Sequence, residues 1–133
     1  MSGAADGGPD LAGLDVLAVE DETLVAMLLE HMLTALGCNV VGPVLRLARA
    51  VEIVDSGQPL DAAVLDVNIG GERIFGVAER LLERGVPLVF ATGYGADVLP
   101  EMYRACGLLP KPYQQEDVER ALKAALRAQG RAD

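Results

Sequence analysis

Residues 62–72 read AAVLDVNIGGE, and this stretch decides the fold class of the chain. Small and branched apolar residues run without interruption to one carboxylate, Asp66, after which the chain turns into Asn68 and two glycines. A continuous apolar run of this kind predicts a strand that is buried on both faces of a sheet. A buried strand that ends on an acid raises the question of what the acid does there.

The rest of the chain alternates between short apolar runs and amphipathic segments. We predict strands at 14–21, 39–44, 60–66, 86–92 and 107–112. We predict helices at 22–37, 46–57, 75–85, 96–106 and 114–129, the fourth of which must accommodate Pro100 in its first turn. Five strand–helix repeats with short linkers predict an α/β fold, in which helices cover both faces of a parallel sheet.

The predicted interior is aliphatic, because aromatic residues are only 4% of the chain and there is no Trp. The first helix is predicted from apolar residues at helical spacing, which end towards Gly37 and are Leu24, Met27, Leu28, Met32 and Ala35.

Length and composition indicate one domain. The 133 residues divide into a Gly-rich leader (1–13) that we expect to be disordered, the domain (14–129) and a short tail (130–133). No stretch approaches the roughly 18 to 20 apolar residues that cross a membrane, which favours a cytoplasmic protein with Cys38 and Cys106 as reduced thiols. The net charge of −9 argues against direct binding to nucleic acid.

Polar side chains follow four of the five predicted strands. The first strand ends on Glu20 and Asp21, the third on Asp66, the fourth on Thr92 and the fifth on Lys111. Taken singly, each could be a helix cap, a turn residue or a solvated charge. Together, at the edge where open α/β sheets bind ligands, they predict a Mg²⁺ site beside a carboxylate that accepts a phosphoryl group.

These residues in this order resemble the receiver domain of two-component response regulators, over about residues 13 to 129. The resemblance implies a flavodoxin-like (CheY-like), doubly wound sheet of five parallel strands in the order 2-1-3-4-5 with five helices. It also implies that Glu20, Asp21, Asp66 and the backbone carbonyl of Asn68 hold Mg²⁺. Asp66 matches the phosphoacceptor of the family.

The resemblance further implies that Lys111 binds the phosphoryl group and that Thr92 is the switch hydroxyl. Lys111–Pro112 resembles the family's usual cis peptide. The chain departs from the family at Glu20, where Asp is commoner, and in VNIGGE (67–72), which lacks the usual Met-Pro and Asp-Gly. It also carries Leu108 in place of the switch aromatic of the fifth strand.

The segment FATGY (90–94) resembles the signature of the FAT GUY receivers, which also lack that aromatic. This resemblance implies a partner histidine kinase of the HWE type, and a loop of Gly93, Tyr94 and Gly95 that reports phosphorylation.

The functional expectation is a stand-alone receiver. It would take its phosphoryl group from a histidine kinase or histidine phosphotransfer protein, and would have no enzymatic activity beyond its own phosphorylation and slow dephosphorylation. Its output would be protein–protein contact, including self-association through the fourth helix, fifth strand and fifth helix. Two alternatives stay open, namely a phosphorylation-independent protein-binding module and a flavodoxin-like cofactor protein or hydrolase.

Overall fold

The structure, a computed structural model, describes residues 10–93 and 99–129 and contains one five-stranded parallel sheet. Its strands are β1 (Asp15–Val19), β2 (Asn39–Val44), β3 (Ala62–Asp66), β4 (Leu88–Thr92) and β5 (Gly107–Pro110). They lie in the order β2-β1-β3-β4-β5, which confirms the predicted flavodoxin-like arrangement. The chain order reverses between β1 and β3, so a crevice forms beyond the carboxyl ends of these two strands.

Helices cover both faces of the sheet. They are α1 (Thr23–Ala35), α2 (Leu47–Asp55), α3 (Phe75–Glu83) and α4 (Gln115–Ala128). α2 and α3 pack on one face of the sheet and α1 and α4 on the other. The four helices agree with the predicted ones to within one or two residues at each end. Among the described residues, no helix is long and apolar enough to cross a membrane.

The predicted α-helix over 96–106 is wrong in its described part. The chain there forms only a 3₁₀-helix, Glu101–Tyr103, followed by a turn; residues 96–98 lie outside the described residues. Pro100 explains the difference, because it has no N–H to donate and it disfavours helical geometry at the residue before it. Its own ψ of 150° is extended, so a continuous helix cannot pass through this position.

The apolar spacing that predicted α1 does not mark its buried face. The side chains that pack on the sheet are Ala26, Leu29 and Leu33, whereas Leu24, Met27 and Leu28 are exposed. Apolar residues occur on almost every side of this helix, so their spacing alone cannot select one face.

Among the described residues, the fully buried side chains beneath α1 and α4 include no aromatic residue, whereas those beneath α2 and α3 do. Phe75, Phe90 and Tyr103 form a cluster with ring centroids 5.2 to 6.0 Å apart. The Tyr103 hydroxyl donates a hydrogen bond to the Phe75 carbonyl at 3.3 Å. Aromatic residues are few in this chain, but the fold gathers three of them in one place.

The start of the described chain contacts the domain. Leu11 is buried with the side chains beneath α1, and the Gly13 N–H donates to the Gly37 carbonyl at 2.8 Å. The domain's contacts therefore begin upstream of residue 14.

A small antiparallel hairpin follows β3 and was not predicted. Asn68–Ile69 pairs with Glu72–Arg73, and Gly70 and Gly71 form the turn with φ of +58° and +86°. Two-residue hairpin turns of type I′ require positive φ at both central residues, which glycine adopts at little cost.

Candidate functional site

The polar residues predicted at the strand ends lie around one cavity of about 390 Å³. Its lining comes from the ends of β1, β3 and β4, from the segment after β5 and from the small hairpin. The polar and charged lining residues are Asp21, Glu22, Asp66, Asn68, Arg73, Thr92 and Lys111. Glu20 contacts Lys111 from below the cavity.

Asp66 is held rigidly because it ends a strand that is buried along its whole length. All five residues of β3 are buried, and Asp66 itself is only 7% exposed. Its Oδ1 accepts a hydrogen bond from the Asn68 N–H at 3.3 Å, and its Oδ2 accepts one from Lys111 Nζ at 3.0 Å. The carboxylate therefore has a fixed position at the cavity wall, with a cation on one oxygen.

Glu20 continues the path of β1 into the interior. Its backbone N–H donates to the Val44 carbonyl at 2.9 Å, so β2 holds it in place. Its carboxylate is 1% exposed and accepts a hydrogen bond from the Glu22 N–H at 3.0 Å. Burial raises the pKa of Glu20 to about 6, although the Glu22 N–H and Lys111 both favour the charged form.

Lys111 joins the two buried acids. Its Nζ lies 2.9 Å from Glu20 Oε1 and 3.0 Å from Asp66 Oδ2. Burial acts to lower the pKa of Lys111, but its hydrogen bonds with Glu20 and Asp66 outweigh burial and raise it, so the ammonium stays charged. The Lys111 N–H donates to the Thr92 carbonyl at 2.9 Å, and the Lys111–Pro112 peptide is cis.

Glu20, Asp21 and Asp66 form an acidic cluster. Each offers a carboxylate oxygen, and these oxygens lie within 4.8 Å of one another. Asp21 Oδ2 also accepts a hydrogen bond from the Gly70 N–H at 2.8 Å, which ties the hairpin to the cluster. Three carboxylates with only Lys111 between them leave excess negative charge, and an all-oxygen donor set suits a hard cation. The cluster therefore fits Mg²⁺.

Two of the residues predicted to form the switch, Thr92 and Gly93, lie beside this cluster. Thr92 is buried at the end of β4, and Gly93 lines the cavity. Leu108 lies on β5 in register with Phe90 and is partly buried against the aromatic side of the core. Tyr94 and Gly95 lie outside the described residues.

Arg73 is a charged residue of the cavity lining that the sequence analysis did not identify. It lies on the second strand of the hairpin, opposite Asn68. The Gly-Gly pair at 70 and 71 was the available signal, because a two-residue glycine turn is typical of hairpins.

The fold and the site define the class of protein. A doubly wound sheet in this order, with three carboxylates and a lysine at the switch point, is typical of flavodoxin-like receiver domains. No protein-family model matches the sequence. The chain is 43% identical to SdrG from Sphingomonas melonis Fr1, over 86% of this chain and 97% of SdrG, with a TM-score of 0.76. On this similarity, the chain belongs to the receiver domain family of response regulators.

Two further relatives are PhyR proteins. The receiver domain of the PhyR response regulator from Erythrobacter litoralis is 28% identical, over 87% of this chain and 92% of that domain, with a TM-score of 0.74. The phyllosphere-induced regulator PhyR of Methylorubrum extorquens is 30% identical over 115 residues, which are 84% of this chain and 43% of that protein. The chain thus spans less than half the length of the curated relative that it matches.

Proposed function

We propose that the domain accepts a phosphoryl group on Asp66 from the phosphohistidine of a histidine kinase or histidine phosphotransfer protein. The observation that carries this proposal is the position of Asp66, which ends a buried strand 3.0 Å from Lys111 Nζ within a cluster of acids. A carboxylate held in this way can act as a nucleophile towards phosphorus. The surrounding acids and Lys111 suit a site that binds a divalent cation together with the negatively charged phosphoryl group.

The transfer replaces one bond with another. An oxygen of Asp66 forms the O–P bond while the N–P bond of the phosphohistidine breaks, and its electron pair returns to the imidazole nitrogen. Mg²⁺ held by Glu20, Asp21 and Asp66 would offset the negative charge of the acids and polarise the phosphoryl oxygens. Lys111 supplies a second positive charge that is already oriented by its two carboxylate partners.

The signal would then leave through protein contacts. Replacing the Asp66 carboxylate by an acyl phosphate adds about one further negative charge, which favours a rearrangement of Thr92 and Gly93 at the cavity. FATGY at 90–94 and the absence of an aromatic at Leu108 support a FAT GUY receiver with an HWE-type kinase. Self-association through β5 and α4 is one form of output. We also propose that the protein acts in the cytoplasm and that its only activity is its own phosphorylation and slow dephosphorylation.

Intact mass measurement after incubation with acetyl phosphate and Mg²⁺ tests the proposal. Wild-type protein should gain one phosphoryl group, and EDTA should prevent the gain. Asp66→Asn should gain none, whereas Asp55→Asn, which alters an exposed acid paired with Arg80, should behave like the wild type. If neither acetyl phosphate nor a phosphorylated HWE-type kinase labels the folded wild-type protein, the proposal is wrong.

A phosphorylation-independent binding module is the second candidate. The exposed side chains of Leu24, Met27 and Leu28 on α1 favour it, because a run of apolar residues on the surface is typical of a protein-binding site. Partner binding that is identical for wild type and Asp66→Asn would support this candidate. A flavin-binding role has less support, because the described lining of the cavity contains no aromatic side chain.

A further inference from the structure

We propose that Arg73 is a second cationic ligand of the phosphoryl group, supplied by the hairpin that follows the acceptor strand. This inference rests on the proposed function and assigns a residue that the resemblance to receiver domains did not identify. It depends on four features of the structure, which are the register of the hairpin, its attachment, the free guanidinium and the charge of the cavity.

The register of the hairpin directs Arg73 towards the cavity. Asn68 and Arg73 are directly opposite each other, and directly opposed residues place their side chains on the same face of a hairpin. Both residues line the cavity that contains Asp66 and Lys111. Ile69, the next residue along, points the other way and is buried in the core.

The hairpin is attached at both ends, so the backbone of Arg73 has a defined position. The buried Ile74, which follows Arg73, donates its N–H to the Val67 carbonyl at 3.0 Å. At the turn, the Gly70 N–H donates to Asp21 Oδ2 at 2.8 Å. The long side chain of Arg73 therefore extends over the cavity from a fixed base.

The guanidinium of Arg73 has no hydrogen-bond or ion-pair partner among residues 10–93 and 99–129. Seven of the other basic residues in these ranges do have carboxylate or carbonyl partners, namely Arg49, Arg80, Arg84, Arg104, Lys111, Arg120 and Lys123. An arginine that lines an acidic cavity without pairing to its acids retains all five N–H donors for an incoming anion.

The charges of the cavity leave room for a second cation. With a divalent cation bound, the three acids of the cluster and Lys111 balance. Converting the Asp66 carboxylate to an acyl phosphate adds about one further negative charge at neutral pH. Lys111 Nζ is already shared between Glu20 and Asp66, whereas the fork of a guanidinium matches two phosphoryl oxygens at once. Arg73 supplies the missing charge in that geometry.

Beryllofluoride, a stable mimic of a phosphoryl group on a carboxylate, tests this inference in the full chain. Its dissociation constant can be measured by ¹⁹F NMR at saturating Mg²⁺ for wild type, Arg73→Gln and Arg73→Lys. We expect binding to be about tenfold weaker for Arg73→Gln, which corresponds to about 1.4 kcal/mol. Arg73→Lys should lie between the two. Arg49→Gln, which removes an equal charge from the surface of α2, should match the wild type.

Mg²⁺ binding without beryllofluoride separates a direct contact from damage to the hairpin. A direct contact predicts that Arg73→Gln binds Mg²⁺ at least as tightly as the wild type. Weaker Mg²⁺ binding would mean that the hairpin had moved away from Asp21, and would overturn the inference. Equal beryllofluoride affinity in wild type and Arg73→Gln would overturn the inference about Arg73 but leave the proposed function intact. If the wild type binds no beryllofluoride and accepts no phosphoryl group, the proposed function and the inference are both wrong.

Discussion

The strand-end cavity and the outer face of α1 are neighbours. Soluble domains usually bury apolar side chains and expose charged ones, and these two regions break that rule in opposite ways. In the cavity region, Glu20 is 1% and Asp66 7% exposed, so charged groups are buried. On α1, Leu24 is 71% and Met27 58% exposed, so large apolar groups face solvent. Both arrangements cost free energy in the isolated domain.

The difference between the two regions indicates what each could bind. Buried carboxylates around a lysine are stabilised by ions and by a phosphoryl group, whereas exposed Leu and Met side chains are stabilised by another apolar surface. The two regions meet in a groove lined by Leu28, Met32, Lys111 and Tyr113. A protein that covers α1 would therefore also reach the edge of the cavity.

The largest expected effect tests which face of α1 is buried. Leu28 and Leu29 are adjacent and identical in type, but only Leu29 is buried. Leu29→Ala should lower the free energy of unfolding by about 2–5 kcal/mol, because it leaves a cavity in the core. Leu28→Ala, the matched control, should change it by less than about 0.5 kcal/mol. Urea unfolding followed by circular dichroism measures both, and equal losses would contradict the assignment.

The next-largest effect tests whether β2 holds Glu20 rigidly in place. A Cβ on Gly42 would lie 2.6 Å from the Val44 nitrogen and 2.9 Å from the Ala18 carbonyl oxygen. The φ of Gly42 is +108°, which L-residues with a side chain rarely adopt. Gly42→Ala should therefore cost about 2–4 kcal/mol, since it combines strain with a backbone clash beside Glu20. Gly57, with φ +81° and open space around it, is the control, and Gly57→Ala should cost about 1 kcal/mol. Thermal unfolding that ranks the two variants in reverse would show that β2 does not constrain the site.

The stability of the domain at alkaline pH tests whether the Cys38 thiol is buried beneath α1. Burial raises the pKa of the Cys38 thiol from 9.0 to about 11. The unfolded chain therefore loses this proton at lower pH than the folded chain does. Stability should fall as pH rises from about 9 to about 11, by about 2 kcal/mol from this group.

Chemical unfolding at pH 8 and pH 10.5, in the presence of a reductant, measures this loss. Cys38→Ala should be less stable at pH 8 but should lose less stability between the two pH values. Cys106→Ala should keep nearly the full loss, because Cys106 is less buried. Identical losses in wild type and Cys38→Ala would show that the thiol is not the cause.

The smallest expected effect is stabilisation by Mg²⁺, which distinguishes clustered acids from scattered ones. Millimolar Mg²⁺ should stabilise the wild type by about 1 kcal/mol, and so raise the melting temperature by a few degrees, because the cation binds only the folded cluster. Asp21→Asn should lose this effect. Glu30→Gln, on the exposed side of α1, should keep it. A shift that persists in Asp21→Asn would place the cation elsewhere.

The position of the site could be predicted from the sequence because topology determines it. In a parallel sheet the carboxyl ends of all strands meet at one edge, so Asp21, Asp66 and Lys111 had to come close together once the strands were recognised. The fourth helix was predicted wrongly because the apolar pattern outweighed the backbone restriction that Pro100 imposes. The hairpin was missed because two residues per strand are too few to show alternation.

The sequence by itself therefore determined the order of strands and helices along the chain and the polar residues that follow four of the five strands, since both depend on local periodicity. Only the tertiary structure decided which side of α1 is buried, which oxygens Lys111 contacts and that Arg73 lines the same cavity as Asp66. These features depend on contacts between segments far apart in the chain, such as the 2.8 Å hydrogen bond from Gly70 to Asp21. A helix that is apolar on most sides selects its inner face only when a sheet packs against it.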